Sequence, residues 1–132
     1  MKKLLLLFIS LMFLFGCEKE KSNSEEEVTS TITHTIFVGN FYYDPPNITI
    51  NQGEEIRWIN DGGLHDINGE TNSLTNMPFD NPETFNSPST SIVGAEIYRH
   101  TFNTPGFYNY DCSVGGHALN GMTATITVVA ID

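Results

Sequence analysis

The sequence has few basic residues, only two cysteines and no helix-period segment of useful length. Its 132 residues include 6 lysines and arginines against 16 aspartates and glutamates, and the formal net charge is −10. Because nucleic-acid binding requires a basic face, this balance argues against nucleic acid as a partner. A strongly acidic protein can be steered toward a basic partner, but acidity also keeps a small exported protein soluble, and both interpretations stay open. The length is that of one domain.

The first 17 residues have the layout of an export signal. Lys2 and Lys3 precede the apolar run LLLLFISLMFLF, which is too short to span a bilayer comfortably. The segment LFGC (14–17) is similar to the lipobox of bacterial lipoproteins. That resemblance implies cleavage before Cys17, lipidation of Cys17 and a mature net charge of −12, since cleavage removes two lysines and no acid. An uncleaved signal anchor or an ordinary signal peptide is the alternative.

Residues 18–31 and 32–132 differ in composition. The first segment, EKEKSNSEEEVTST, is charged and polar and predicts a disordered acidic tether, with a root-mean-square reach of about 20 Å. The second segment is predicted to be a single folded domain. With a lipid on Cys17, this layout predicts a domain anchored to a bacterial membrane at the cell envelope, periplasmic or surface-exposed, whose membrane contact is the lipid alone.

Short alternating runs from about Thr33 onward predict an all-β domain. In MTATITVV (122–129) apolar residues alternate with threonines, as in a strand with one packed face and one wetter face. NTPG (103–106) predicts a type II turn that closes a hairpin into the strand FYNYDC. About six to eight such strands predict a β-sandwich. Further strand-like runs are THTIFVG (33–39), NITINQGEEIRWIN (47–60) and IYRHTF (97–102).

One long segment interrupts this pattern. Residues 69–91, GETNSLTNMPFDNPETFNSPSTS, are rich in Asn, Ser, Thr and Pro and predict a long loop or flap with at most one helical turn. Loops of this length are usually functional or disordered.

The stretch YDCSVGGHALNGM (110–122) contains Cys112, His117 and Met122 at equal spacing, C-x4-H-x4-M. Cys112 ends one predicted strand and Met122 begins the next, so the residues between them form a loop that glycine allows to fold tightly. If Cys17 carries lipid, Cys112 has no disulfide partner, and a lone thiol in an exported protein is exposed to oxidation. We therefore interpret the loop as part of a metal site.

A fourth ligand should come from another loop at the same end, and the remaining histidines are the candidates. His65 lies just past a strand, beyond a Gly-Gly turn, whereas His34 and His100 lie inside strand patterns and are interpreted as structural. One Cys, two His and one Met form the ligand set of a mononuclear blue-copper centre. Cu(I) prefers soft sulfur and Cu(II) prefers imidazole, so this set tolerates both oxidation states.

The sequence resembles the cupredoxins, the plastocyanin and azurin family. The matching residues are GEEIRWINDGGLHDI (53–67) and TFNTPGFYNYDCSVGGHALNGMTATITVV (101–129). The resemblance implies a Greek-key β-sandwich of about eight strands, with one copper ion at one end and one-electron transfer through a surface-near His117. The ligands that it implies are His65, Cys112, His117 and Met122.

Two features depart from the family pattern. The spacing of four residues after Cys112 is azurin-like, whereas the spacing of four before Met122 is plastocyanin-like. Asp66 stands where the family usually has Asn. We expect it to accept a backbone N–H from the loop near Cys112, and its negative charge to favour Cu(II) and lower the reduction potential. A backbone carbonyl of Gly63 or Leu64 as an additional axial ligand stays open.

Several loop residues have two interpretations. Met77 is either an alternative sulfur donor or, more simply, a packing or surface residue. An apolar docking patch around His117 would suit brief redox encounters, or Phe79 is merely tucked into the long loop. The residues of that patch are Met77, Pro78, Phe79, Ala118 and Leu119.

The predicted function is single-electron transfer between transient redox protein partners, such as a cytochrome or a copper enzyme, by a monomeric blue copper protein. The alternative is a copper-binding or delivery protein of the envelope, although the chain lacks the Met- or His-rich runs of open delivery sites. A metal-free interaction module would leave Cys112 unexplained. An enzyme is not expected, because the chain has four histidines and one domain, and no orienting group supports Cys112 as a nucleophile.

Overall fold

A computed structural model describes residues 31–132. The predicted signal peptide, its lipidated Cys17 and all but the last residue of the predicted tether lie outside the described residues. Within 31–132, no helix has the length and apolar character needed to cross a membrane.

Seven β-strands form two sheets, which confirms the predicted all-β sandwich; about eight strands were expected, and residues 31–132 contain seven. The first sheet has the order β2-β1-β4-β5 and the second has the order β3-β7-β6. Both sheets are mixed, because β1 pairs with β4 and β3 pairs with β7 in parallel, while the other neighbours are antiparallel. The strands are β1 (Thr33–Gly39), β2 (Tyr42–Asp44), β3 (Asn47–Asn51), β4 (Glu55–Asn60), β5 (Glu96–Thr101), β6 (Gly106–Asp111) and β7 (Thr123–Val129).

Alternation in the sequence explains the strand faces. In β7 the side chains of Ala124, Ile126 and Val128 are buried and the threonines between them face outward, as the period of two requires. The core between the sheets centres on Trp58, which is fully buried. Its indole N–H donates to the Tyr110 hydroxyl at 3.2 Å, so the polar atom of this large side chain is satisfied.

The predicted hairpin at residues 103–106 is wrong, because β5 and β6 lie in different sheets. Gly106 has a φ of 149°, and the hydroxyl of Tyr108 donates to the Thr104 carbonyl at 2.6 Å, which fixes the corner. The chain passes from the first sheet to the second here, because β5 pairs with β4 in the first sheet and β6 pairs with β7 in the second. The crossover carries the chain to Cys112 at the end of β6.

The long segment 69–91 is anchored to the core rather than free. Phe85 is 2% exposed and stacks against Trp58 with a centroid separation of 6.0 Å. A Cβ at Gly69 would lie 2.4 Å from the Phe85 ring, so glycine is needed where the segment folds over this side chain. The segment contains isolated bridges and one helix-type turn, in which the Asn76 N–H donates to the Asn72 carbonyl at 2.8 Å. The one short helix of the described chain is a 3-10 helix, Ala118–Asn120.

Candidate metal centre

Three candidate ligand atoms converge at one end of the sandwich. One ligand atom from each of His65, Cys112 and His117 lies within 4.8 Å of the other two. The sulfur is 3.9 Å from His65 Nδ1 and 3.4 Å from His117 Nδ1. Bonds of about 2.0 Å to imidazole and about 2.3 Å to thiolate, arranged in a trigonal plane, would separate sulfur from nitrogen by about 3.7 Å. The three side chains therefore fit one transition-metal ion.

The backbone of the loop between Cys112 and Met122 brings Met122 next to Cys112. Cys112 directly follows β6 and Met122 directly precedes β7, and the Cys112 N–H donates to the Met122 carbonyl at 3.2 Å. The Met122 N–H donates to the His117 carbonyl at 3.1 Å. Gly121 makes this return possible, since its φ of 94° is a left-handed conformation. The thioether side chain is fully buried.

The hydrogen bonding of His65 leaves the Nδ1 lone pair free to bind a metal. Its Nε2 lies 2.7 Å from the carbonyl oxygen of Gly62. A carbonyl can only accept, so Nε2 carries the proton and Nδ1, the atom facing Cys112, does not. A second hydrogen bond of this type fixes both the tautomer and the ring orientation of a metal-binding histidine. A Cβ at Gly63 would lie 2.5 Å from Nε2, so glycine is required beside the ring.

The turn before His65 is shaped by Asn60, a residue that the sequence reasoning missed. Asn60 is 1% exposed, and its Nδ2 donates to the carbonyls of Gly63 at 3.0 Å and Thr90 at 3.2 Å. Its Oδ1 accepts the Gly62 N–H at 2.9 Å. The signal was present, because an Asn that precedes Asp-Gly-Gly favours a side-chain-capped turn. His65 itself is held by two backbone hydrogen bonds with Thr90.

Asp66 joins the two segments that supply the ligands. The Ser113 N–H donates to Asp66 Oδ1 at 2.7 Å, which is the contact expected from the sequence, and the Ser113 hydroxyl donates to Oδ2. The Asp66 carbonyl accepts the Tyr43 hydroxyl at 2.9 Å. These bonds hold the neighbours of His65 and Cys112 together before any metal arrives.

Burial sets the protonation of the metal-free cluster. It raises the pKa of the Cys112 thiol to about 11 and lowers the pKa of His65. At neutral pH the metal-free site therefore holds a thiol and a neutral His65 imidazole. Thiolate is the metal-binding form of cysteine, so a metal entering this site displaces the thiol proton.

The other candidates lie in different surroundings. His34 pairs with Glu54 at 2.7 Å and His100 pairs with Glu83 at 3.0 Å, as structural histidines do. Met77 is 63% exposed, in contrast to the buried Met122.

The proposed docking patch needs one correction, because Ala118 is 4% exposed and cannot contribute to it. Leu119 is 81% exposed, and Phe79 is half-buried in a groove beside β6 and β7. Sequence reasoning missed Phe41, which is 47% exposed and packs edge-on against the His117 ring with a centroid separation of 5.2 Å. Its φ of 66° is unusual for a bulky residue, and no local sequence signal indicated it.

Comparisons with known proteins agree with this geometry. Residues 30–129 match the family described as copper binding proteins, plastocyanin/azurin family. The chain is 31% identical over 91 residues to the plastocyanin of Scenedesmus fuscus, a match covering 68% of this chain and 89% of that protein.

Solved structures share the fold. A purple cupredoxin from Nitrosopumilus maritimus matches with a TM-score of 0.55 and 26% identity, over 72% of this chain and 98% of that one. A copper-containing nitrite reductase from Thermus scotoductus matches with a TM-score of 0.56 and 24% identity, over 75% of this chain and 22% of that one. At that identity the second likeness concerns the fold alone.

Proposed function

The chain belongs to the plastocyanin/azurin family of copper-binding proteins, and we propose that it carries single electrons between redox partners through one type 1 copper ion. The observation that carries this proposal is the convergence of one ligand atom each from His65, Cys112 and His117 within 4.8 Å. We assign these three residues and Met122 as the ligands. When bound, copper would supply the one-electron chemistry, and this ligand set suits both of its oxidation states.

The built-in order of the site supports a carrier rather than a delivery protein. His65, Cys112 and Met122 are fully buried, and hydrogen bonds accepted by the Gly62 carbonyl, the Asp66 carboxylate and the Met122 carbonyl fix the segments around them. A site held in this way changes little when the metal changes charge. A delivery site must open to release its ion, and burial of three ligands opposes that. His34 and His100 are engaged by carboxylates, which argues against a second metal site of an enzyme in residues 31–132.

His117 is the proposed point of electron exit. It is the half-buried member of the cluster. The exposed side chain of Phe41 packs against its ring, and the exposed Leu119 follows it two positions later in the sequence. Small apolar surfaces of this kind suit brief encounters with a redox protein. We propose a cytochrome or a copper enzyme as the partner, met by a monomer held at the cell envelope through lipid on Cys17 and the acidic tether.

The direct test is the spectrum of residues 18–132 after addition of Cu(II). We expect an intense thiolate-to-copper absorption band and a narrow copper hyperfine splitting in the EPR spectrum. Cys112→Ser should abolish both, whereas Ser113→Ala, its neighbour in the same loop, should retain them. A colourless wild-type protein, or a band that survives Cys112→Ser, would contradict the proposal.

Carrier and delivery roles separate in a second measurement. A carrier shows reversible voltammetry and fast electron self-exchange, whereas a delivery protein transfers its copper to an acceptor chelator or protein. Location is tested by fractionation and by mass spectrometry of the membrane-bound protein, which should begin at Cys17 and carry acyl chains. A membrane-bound protein that retains residues 1–16, or that has an unmodified Cys17, would contradict the lipid anchor but not the electron-transfer proposal.

A further inference from the structure

Asp111, which directly precedes Cys112, is a buried carboxylate outside the proposed ligand set. It is 1% exposed. Its Oδ1 accepts hydrogen bonds from Asn68 Nδ2 at 2.7 Å and from Ser73 Oγ at 2.9 Å, and its Oδ2 accepts the Ser73 N–H at 2.7 Å. Each carboxyl oxygen thus faces an N–H group, which can only donate. The contacts fit an ionised carboxylate, and none of the ion pairs within residues 31–132 includes Asp111.

The segment with His65 runs antiparallel to the segment with Cys112. Asn68 and Asp111 exchange two backbone hydrogen bonds of 2.9 and 3.0 Å, and two positions further along Asp66 receives the Ser113 N–H. Cys112 therefore has Asp111 next to it in the chain, and Asp66 lies near it on the neighbouring antiparallel segment. Asp111 is the member of this pair that the long loop holds, because Ser73 belongs to residues 69–91.

A fixed negative charge at this position would act on a metal bound to Cys112. The oxidised copper site carries one more positive charge than the reduced site, so a nearby carboxylate stabilises the oxidised state more. Water and salt screen an exposed charge, but they screen a buried one much less. Hydrogen bonds from Asn68 and Ser73 keep the charge in place without neutralising it.

We propose that Asp111 is a tuning residue of the metal centre, whose carboxylate, one residue before Cys112 in the chain and held in place by Asn68 and Ser73, favours the oxidised metal and lowers the reduction potential. The inference rests on the proposed electron-transfer function. It also assigns a function to the long loop, because Ser73 of this loop supplies two of the three hydrogen bonds to the carboxylate.

The test compares four copper-loaded forms of residues 18–132, a range that includes every described strand. Asp111→Asn removes the charge, and Ser73→Ala removes one donor but keeps the charge. Asp80→Asn removes a charge from an exposed carboxylate of the same loop. By voltammetry we expect Asp111→Asn to raise the Cu(I) to Cu(II) ratio at a fixed potential by about tenfold, or about 59 mV for one electron. Ser73→Ala should shift the ratio less, and Asp80→Asn by less than about twofold.

A shift in Asp111→Asn no larger than that in Asp80→Asn would overturn the inference. If Asp111→Asn does not fold, Asp111→Ser must show the same upward shift, because it removes the charge and leaves room for water beside Ser73. In the metal-free protein, Ser73→Ala should speed hydrogen exchange at the Asn68 and Asp111 amides, and unchanged exchange would refute the holding role. A wild-type protein without a reversible potential refutes the proposed function, whereas a reversible wild type with an unshifted Asp111→Asn refutes only this inference.

Discussion

The two segments that supply the ligands are built in different ways. Residues 112–122 carry three of the four proposed ligands at fixed spacing, in a short glycine-containing loop whose bonds are mostly local. Residues 60–68 carry one ligand, His65, and the polar residues Asn60, Asp66 and Asn68, which bond to distant parts of the chain. The first segment supplies most of the proposed ligands, and the second supplies His65 together with the long-range hydrogen bonds that position both segments.

The largest effect should come from removing either histidine. His65→Gly and His117→Gly should both lose the copper spectrum of the wild type. His117 is half-buried while His65 is fully buried, so added imidazole should enter the cavity left by His117 and restore a thiolate-to-copper band. Absorption titration with imidazole checks this. Equal rescue of both variants would contradict the contrast in access between the two segments.

Asn60→Ala should cost more stability than any change in the other segment that spares the ligands. It removes three hydrogen bonds at a buried turn and leaves the Gly63 carbonyl without that donor. We expect a loss of about 2–4 kcal/mol in the free energy of unfolding of the metal-free protein. Asn120→Ala is the matched control, since Asn120 is exposed and its Nδ2 makes one bond, to the Gly116 carbonyl. We expect Asn120→Ala to lower the free energy of unfolding by less than about 1 kcal/mol. Equal losses for the two variants in denaturant unfolding would contradict the contrast between the two segments.

Gly63 and Gly115 allow the two segments to be compared at the level of backbone conformation. Gly63 has a φ of 97°, and a Cβ there would lie 2.5 Å from both His65 Nε2 and Asn40 Oδ1. Gly115 has a φ of 51°, and nothing lies within 4 Å of a Cβ built there. We expect Gly63→Ala to destabilise the fold by about 1–3 kcal/mol and to disturb the copper EPR signal. Gly115→Ala should cost about 1 kcal/mol from its left-handed φ alone and leave the signal unchanged.

Asp66→Asn tests the charge that joins the two segments. The amide retains an acceptor for the Ser113 N–H, and the Ser113 hydroxyl can rotate to accept from the new NH2 group. We expect the copper spectrum to persist and the reduction potential to rise. An unchanged potential by voltammetry would mean that the charge of Asp66 does not act on the metal.

The smallest expected effect lies away from the metal centre, at Glu54. The Asn51 N–H, the His34 ring and the Asn51 side chain hold the pKa of Glu54 below its usual range. The stabilisation is present above the unfolded pKa of about 4.5 and is lost as the pH falls through the lower folded pKa. Glu54→Gln should therefore flatten the acid limb of unfolding without altering the copper spectrum at neutral pH. A changed spectrum would show that the two ends of the sandwich are coupled.

Local patterns in the sequence predicted the parts of the molecule that depend on local physics. Alternation predicted β7, and the spacing C-x4-H-x4-M placed Cys112, His117 and Met122 at one strand end. The missed features all join segments far apart in sequence: Asn60 with Thr90, Asp111 with Ser73, and Phe41 with His117. The hairpin error has the same origin, since a turn signal does not say which sheet receives the following strand.

The central claim, that His65, Cys112 and His117 hold one copper ion, is tested most directly by X-ray absorption spectroscopy of residues 18–132 loaded with one equivalent of copper. We expect two imidazole nitrogens at about 2.0 Å and one thiolate sulfur at about 2.3 Å from the metal, with the sulfur lost in Cys112→Ser. A copper ion surrounded only by nitrogen and oxygen, with no short sulfur bond, would contradict it.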